Sequence, residues 1–143
     1  MPNSLNVLGL ARKAGLVEVG EEAAGAACRA GKARILLVAS DASDNARHRA
    51  DNFSAAGNTL CLNLHYTKEE LGTALGTGRP SMAALMDAGM AALFVQKLAV
   101  EFPGEYDALL PVLEEKAARI RARKKEAAAH KRNVRMGKRR KQR

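Results

Sequence analysis

Residues 34–40, RILLVAS, are the stretch of this sequence that decides its fold. The four consecutive positions from Ile35 to Val38 are all aliphatic, so neither face of a strand there would present a polar side chain. A strand of this kind is covered on both faces, as happens in a sheet that lies between two layers of helices. The stretch therefore predicts a buried strand of an α/β/α sandwich.

Outward from this strand, helical and strand patterns alternate along residues 4–101. Apolar or alternating segments predict three more strands, over residues 16–20, 58–65 and 81–86. Segments between them have helical composition and predict five helices, over residues 4–14, 21–30, 43–56, 67–76 and 87–101. We predict an α/β fold, a three-layer α/β/α sandwich with a four-stranded mixed sheet, followed by a basic C-terminal helix and a disordered tail.

Polar and glycine residues mark several of the predicted helix ends. Ser4 is placed to cap the first helix and Gly15 to end it. Thr67 and Glu70 have the spacing of a capping box, in which each side chain accepts a hydrogen bond from the other residue's backbone N–H. Asp87 is placed to cap the helix that ends near residue 101. These signals separate the elements of the predicted sandwich.

The chain has a formal net charge of +9, and this charge is divided unevenly along it. Residues 116–143 hold fourteen of the 24 Lys and Arg residues but only one of the 15 Asp and Glu residues, which gives +13. The preceding residues hold the other ten basic and fourteen acidic residues, which gives −4. A basic segment of this kind predicts a polyanionic partner, and nucleic acid is the commonest one.

The C-terminal segment follows residues 102–107, FPGEYD, which interrupt the periodic pattern. We predict a folded domain over residues 1–104, a basic helix over 105–132, and a basic tail over 133–143 that is disordered when free. The helix is expected to dock on the domain through Leu109, Leu110, Val112 and Leu113. Because the tail has so little apolar surface to bury, we expect it to become ordered only on RNA.

Composition and spacing argue against several classes of function. No apolar run approaches the ~20 residues of a membrane-spanning helix, and no export signal is recognisable. We therefore expect a cytoplasmic protein in which Cys28 and Cys61 are reduced. Residues 25–33, GAACRAGKA, depart from the phosphate-loop motif in their glycine spacing. No group of side chains has the spacing of a catalytic or metal-binding site, so we predict no enzyme activity, no metal and no cofactor.

The two tyrosines and three phenylalanines all lie outside the predicted strands. Proteins that read single-stranded RNA on a sheet surface stack bases on exposed aromatic side chains of the strands. The sequence therefore disfavours that mode and favours contact through loops and helix ends. Two glycine-containing loops suit this contact, residues 20–22 and 76–81, because glycine permits a close approach of backbone N–H groups to phosphate.

Two segments of the chain carry a resemblance to a known family. Residues 8–43, which contain GKARILLVASDAS, and residues 66–87, which contain TKEELGTALG, resemble the L-seven-Ae ribosomal protein superfamily of kink-turn RNA-binding proteins, and small bacterial ribosomal-protein-like members in particular. The resemblance covers about residues 4–100. It implies an α/β/α sandwich that binds RNA at the start of its second helix and at the loop before its last strand.

The resemblance also implies where each contact would fall. It places the superfamily's Gly-x-Asn-Glu-x-x-Lys motif on Gly20, Glu22, Ala23 and Ala26, so only the glycine is kept. Glu21 and Glu22 fit the first turn of a helix, where carboxylates offset the positive end of the helix dipole. Kink-turn recognition at this first site therefore stays open. The residues of the second loop are compatible with RNA contact, namely Thr77, Gly78, Arg79 and Pro80.

We predict a non-enzymatic, ribosome-associated protein, monomeric off RNA, that binds structured RNA, above all rRNA, and has other ribosomal or assembly proteins as further partners. The predicted RNA-binding residues are Arg12, Lys13, Gly20, Glu21, Glu22, Lys32, Thr77, Gly78, Arg79, Pro80, Arg121, Lys124, Lys125, Lys131, Arg132, Arg135, Lys138, Arg139 and Arg140. An alternative is a protein-interaction module that docks a partner on the acidic face of helix 2 and contacts RNA only through its tail. A third hypothesis is an accessory domain of a modification enzyme whose catalysis another chain supplies.

Overall fold

The computed structural model describes the backbone of residues 2–141 and the side chains of residues 2–131. Within these residues, helices and strands alternate as the sequence predicts. The strands are β1 (Val17–Val19), β2 (Ile35–Val38), β3 (Leu60–Asn63) and β4 (Met82–Leu85). The helices are α1 (Asn3–Lys13), α2 (Glu21–Arg29), α3 (Asp44–Gly57), α4 (Lys68–Leu75), α5 (Ala88–Glu101) and α6 (Leu110–Lys141).

The four strands form one mixed sheet in the order β1-β4-β2-β3. Strand β4 runs antiparallel to both neighbours, with Ala83 opposite Val19 of β1 and Leu37 of β2. Strands β2 and β3 are parallel, with Ile35 opposite Leu60. Every residue of β2 and β4 is at most 1% exposed. The prediction of a buried strand at residues 34–40 and of a mixed four-stranded sheet is confirmed.

Two groups of helices cover the sheet. Helix α1 packs against α4 and α5, whereas α2 packs against α3. The small side chains of Ala24, Ala27 and Cys28 are buried on α2. Gly25 belongs to the same contact, because a Cβ there would lie 2.6 Å from the ring of Phe53 on α3. Small residues thus allow α2 to pack closely, which completes the predicted α/β/α sandwich.

The predicted caps of α4 and α5 are confirmed. Thr67 Oγ1 accepts a hydrogen bond from the backbone N–H of Glu70 at 3.2 Å, and Glu70 Oε1 accepts one from the N–H of Thr67 at 3.1 Å. Asp87 Oδ2 accepts from the N–H of Met90 at 2.9 Å. Each bond satisfies a donor that the first turn of a helix would otherwise leave unpaired.

A buried polar network joins α1 to α5 at Ser4, a residue for which we expected a capping role. Helix α1 begins at Asn3, so Ser4 lies inside it. The Ser4 hydroxyl donates to Glu101 Oε2 at 2.6 Å and lies 2.9 Å from the hydroxyl of Tyr66. The cap prediction is wrong because the hydroxyl bonds to partners distant in sequence rather than to the first turn of α1.

Helix α6 packs its first turns against the sandwich. It begins at Leu110 rather than at residue 105, because residues 102–109 form turns and bends. Leu113 and Ala117 are buried, and their spacing of four residues places them on one face of the helix. Val112 is 41% exposed, so its predicted docking is wrong. The predicted contacts of Leu109, Leu110 and Leu113 with the core are confirmed.

The far end of α6 differs from the predicted boundary at residue 132. The backbone is helical as far as Lys141, which is consistent with the high helix propensity of Lys, Arg and Met. The disorder predicted for residues 133–143 in the free chain stays a prediction. Residues 142 and 143 of that predicted tail lie outside the described residues.

Candidate nucleic-acid interface

The two loops predicted from the sequence lie side by side at one end of the sheet, where β1 and β2 end and β4 begins. The backbone N–H of Gly20 donates to the carbonyl of Met82 at 3.0 Å, which joins the end of β1 to the start of β4. The N–H of Ala39 donates to the carbonyl of Ser81 at 2.9 Å, which brings the end of β2 to the same place. We call this edge, formed by residues 20–22, 39–41 and 76–81, the Gly20 edge.

Gly20 has a backbone conformation that requires glycine. Its φ is +96° and its ψ is 163°, a region in which a Cβ would clash with the backbone. Gly20 is also the N-cap residue of α2, and its position has no side chain to cap the helix. The first turn of α2 therefore offers backbone N–H groups and the positive end of the helix dipole at the Gly20 edge.

Glu21 and Glu22 occupy the first turn of α2, as the sequence predicts. Glu21 Oε2 lies 2.7 Å from Nη1 of Arg49 on α3, so this carboxylate has a cationic neighbour. Glu22 and Ala26 are exposed, and Ala23 is half-buried. The positions that the resemblance aligns with the superfamily's Asn, Glu and Lys thus lie at or near the surface of α2 but carry no cation.

The backbone holds the loop before β4 against α4. The N–H of Thr77 donates to the carbonyl of Gly72 at 3.0 Å. A Cβ at Gly72 would lie 1.6 Å from the carbonyl oxygen of Gly78, so the loop and the helix touch at a position open only to glycine. Thr77, Gly78 and Arg79 are exposed, and Pro80 is half-buried. A fixed backbone therefore presents the Arg79 cation at the Gly20 edge.

Arg47 supports the same edge, although no pattern in the sequence selected it. Its guanidinium donates to the carbonyl of Ser40 at 2.6 Å, to that of Ala42 at 3.3 Å and to Asn63 Oδ1 at 3.2 Å. Because these acceptors belong to the segments after β2 and at the end of β3, Arg47 fixes the loop that begins at Ala39. Its contacts depend on tertiary structure, so sequence spacing could not reveal them.

The basic residues predicted in the body do not all lie at the Gly20 edge. Arg12 and Lys13 precede β1, and Lys32 precedes β2. The start of β2 is joined to the end of β4 at the opposite edge of the sheet, where the N–H of Arg34 donates to the carbonyl of Leu85 at 2.7 Å. We call this the Arg34 edge. All three predicted residues belong to it, so the structure does not bring them together with the two selected loops.

A cleft of about 250 Å³ opens at the Arg34 edge, between the sandwich and α6. Arg34 of the body lines the cleft, together with Lys116, Arg119 and Arg123 of α6. These four residues were not predicted as a site from the sequence. Positions 116, 119 and 123 fall on one face of a helix, and this periodicity is the signal that would have identified the α6 members.

The basic residues of α6 that were predicted to bind RNA divide into two sets. Those with described side chains are exposed: Arg121, Lys124, Lys125 and Lys131. The others have side chains outside the described residues: Arg132, Arg135, Lys138, Arg139 and Arg140. Their predicted role in RNA binding stays a prediction.

The described residues hold no set of three or more His, Cys, Asp or Glu side chains placed to bind a metal ion. Burial raises the pKa of the Cys28 thiol and raises the pKa of the Cys61 thiol to about 11. Both thiols are therefore protonated near neutral pH, a state unsuited to nucleophilic attack. In the part of the chain that the structure describes, no helix is both long enough and apolar enough to span a membrane.

Fold and geometry define a small α/β/α sandwich with an exposed loop edge and a long basic helix. No family model matches the sequence. The chain is 33% identical over 88 residues to the RNA-binding protein YlxQ of Enterococcus faecium, an alignment that covers 62% of this chain and 84% of that protein. The chain therefore belongs to the family of that protein, within the L-seven-Ae superfamily.

Two solved structures share the fold. One, a protein of unknown function from Bacillus halodurans, has a TM-score of 0.63 and 21% identity, and the match covers 68% of this chain and 98% of that one. The other, a 15.5 kD RNA-binding protein of Giardia lamblia, has a TM-score of 0.55 and 15% identity. This match covers 66% of this chain and 81% of that one. At these identities the two neighbours support the architecture of the sandwich.

Proposed function

We propose that this chain is a non-enzymatic protein that binds structured RNA at the Gly20 edge. The observation that carries the proposal is its membership of a family with a relative named as an RNA-binding protein. The geometry of the Gly20 edge supports it, since the two loops that the resemblance selects meet there through the Gly20–Met82 hydrogen bond. The edge combines a helix N-terminus, glycine backbone and an exposed arginine, and each of these suits contact with RNA.

The two parts of the chain would contribute differently to binding. The Gly20 edge would recognise the shape of a folded RNA, with Arg79 contacting a phosphate or the edge of a guanine. The basic residues of α6 would neutralise phosphates, which adds affinity but carries no base information. A kink-turn is the RNA shape that we propose for the edge, despite the acid at Glu22 and the alanines at Ala23 and Ala26.

We propose rRNA as the natural RNA and the ribosome or its assembly as the setting, which would place the protein in the cytoplasm. Other ribosomal or assembly proteins would then lie close to it, and the chain would be a monomer off RNA. The alternative, a protein partner on the acidic face of α2, needs free carboxylates at Glu18, Glu21 and Glu22. The ion pair of Glu21 with Arg49 weakens that alternative.

Binding of the full chain to a kink-turn RNA and to a straight duplex of equal length, at one near-physiological salt concentration, tests the proposal. We expect a clear preference for the kink-turn. The Arg79→Gln variant should lower that preference about tenfold, since loss of a well-made arginine contact costs ~1–3 kcal/mol. The matched control is Arg121→Gln, which removes one exposed arginine on α6, away from the Gly20 edge.

The control should weaken binding to both RNAs equally and leave their ratio unchanged. Equal affinity of the unmodified chain for the two RNAs would contradict recognition at the Gly20 edge. A chain that binds neither RNA would contradict the proposed function as a whole.

A further inference from the structure

The cleft at the Arg34 edge has the features of a second binding site. It lies between the start of β2, the end of α3 and one face of α6. It is across the sheet from the Gly20 edge, and strands of three or four residues at about 3.3 Å each separate the two edges by roughly 10 Å plus the flanking loops. The cleft is therefore distinct from the loops that the resemblance selects.

Charge is the first argument for a ligand in this cleft. Its lining includes the four basic residues Arg34, Lys116, Arg119 and Arg123, and no aspartate or glutamate. All four side chains are exposed. Basic groups that surround a concave surface raise its positive potential more than the same groups spread over a convex one. Such a cleft attracts an anion.

The pairing of these residues is the second argument. Among the described residues, Arg119 pairs with Glu115 on the same helix. The other ion pairs within that part of the chain join Glu21 with Arg49 and His65 with Glu105. Arg34, Lys116 and Arg123 take part in none of these pairs, so their charges are available to a ligand.

The shape of the cleft supplies the third argument. Its lining includes Gly31, where a Cβ would meet no atom within 4 Å, and the short side chain of Asn58, so a ligand could approach the protein backbone closely there. Ala88 and Ala91 in the first turn of α5 also line it, and the N-terminal end of a helix carries positive partial charge. Beyond the cleft, helix α6 continues with further basic residues such as Lys124 and Lys131. A long polyanion could therefore lie along α6 and enter the cleft.

We propose that this cleft binds the phosphate backbone of an RNA strand, as a second contact in addition to the Gly20 edge. The inference rests on the proposed RNA-binding function. Lys116, Arg123 and Arg34 contact successive phosphates, and the body of the protein forms one wall of the site. Basic residues elsewhere on α6 contact RNA without a facing wall, and each contributes less to affinity.

The test compares two variants of the full chain that each lose two charges from α6. Lys116→Gln with Arg123→Gln removes two of the four basic side chains that line the cleft, whereas Lys124→Gln with Lys125→Gln removes two positive charges outside it. All four side chains are exposed and Gln is a good helix former, so both variants should fold. Affinity for a straight RNA duplex is measured at several salt concentrations, so that recognition of a kink-turn does not enter the comparison.

We expect the cleft variant to lose about tenfold in affinity and to lower the slope of log affinity against log salt by about two, one for each phosphate contact. The control variant should lose less than half as much on both measures. Equal losses in the two variants would overturn the cleft and leave the proposed function intact. No duplex binding by the unmodified chain would overturn the cleft as well, and the kink-turn measurement then decides the proposed function separately.

Discussion

The Gly20 edge and the Arg34 edge differ in the chemical groups that they present. The Gly20 edge consists of backbone, with glycines at positions 20, 76 and 78 and Arg79 as the exposed cation of its second loop. The Arg34 edge gathers four basic side chains around a cleft and is covered by α6. Shape is thus offered at one edge and charge at the other. In this chain, therefore, the loops that the resemblance aligns with the superfamily's RNA-binding sites and the cluster of basic side chains lie at opposite ends of the sheet.

Removal of residues 132–143 should have the largest effect of the changes considered, because it lowers the affinity for RNA that the basic residues of α6 supply. The deletion removes seven Lys and Arg residues but keeps Leu113 and Ala117, which anchor α6 to the body. We expect affinity for any RNA to fall by about 100-fold near physiological salt, with a shallower salt dependence. The preference for a kink-turn over a duplex should stay the same. An unchanged salt slope would contradict this role for the end of the helix.

Gly72→Ala should have the next largest effect, at the Gly20 edge. The added Cβ would overlap the carbonyl oxygen of Gly78, so the loop before β4 must move. Overpacking of this kind costs about 1–3 kcal/mol of the free energy of unfolding, and the kink-turn preference should be lost with it. Chemical denaturation and RNA binding measure the two effects.

The matched control for that variant is Gly78→Ala. A Cβ at Gly78 meets no atom within 4 Å and its φ does not favour glycine. It should leave the free energy of unfolding nearly unchanged. Equal destabilisation by the two substitutions would show that the loop does not depend on the close contact with α4.

Glu101→Gln should have a smaller effect, a decrease in the free energy of unfolding that depends on pH. Burial alone would raise the pKa of Glu101, but hydrogen bonds from the Ser4 hydroxyl and backbone N–H and from Tyr66 outweigh it, so the pKa lies below its usual 4.5. A carboxyl whose pKa is lowered by folding stabilises the folded chain above its unfolded pKa. This contribution is lost as the pH falls through the lower, folded value.

The free energy of unfolding of the variant should therefore be about 1 kcal/mol lower than that of the unmodified chain near neutral pH. The difference from the unmodified chain should shrink as the pH falls below about 4.5. Urea denaturation across this range measures it, with the exposed Glu114→Gln as control. A difference that does not change with pH would contradict the role of the ionised carboxylate.

Arg49→Ala should have the smallest effect. The ion pair of Arg49 with Glu21 is 2.7 Å long but lies at the surface, where such pairs contribute up to about 1 kcal/mol. We expect a change of less than ~0.5 kcal/mol in the free energy of unfolding and an unchanged preference for a kink-turn. A large gain in capture of a basic protein would favour the alternative, because the substitution frees the carboxylate of Glu21.

The sequence predicted the layers of this fold because its signals are local. The aliphatic run at Ile35–Val38, the capping box at Thr67 and the cap at Asp87 each depend on neighbours in the chain, and all three are confirmed. Ser4 was misassigned because its partners, Tyr66 and Glu101, are distant in sequence. Local patterns cannot encode such a contact.

The candidate site divides in the same way. The loops at Gly20 and Arg79 were selected by glycine content and by resemblance, and the structure places them at one edge of the sheet. The cleft at Arg34 was missed because Arg34 lies more than 80 residues before the basic residues of α6 that line the cleft with it. Net charge predicted that α6 binds a polyanion, but only the packing of Leu113 and Ala117 determines which face of α6 meets the body.

The most direct test of the account follows the backbone amide signals of the ¹⁵N-labelled full chain during titration with a kink-turn RNA. We expect large shifts at Gly20, Glu21 and Gly78 at the Gly20 edge, and at Gly31 and Asn58 at the Arg34 edge. Shifts confined to α6, with the Gly20 edge unmoved, would contradict it. The basic helix would then be the RNA-binding element, and the sandwich would serve another partner.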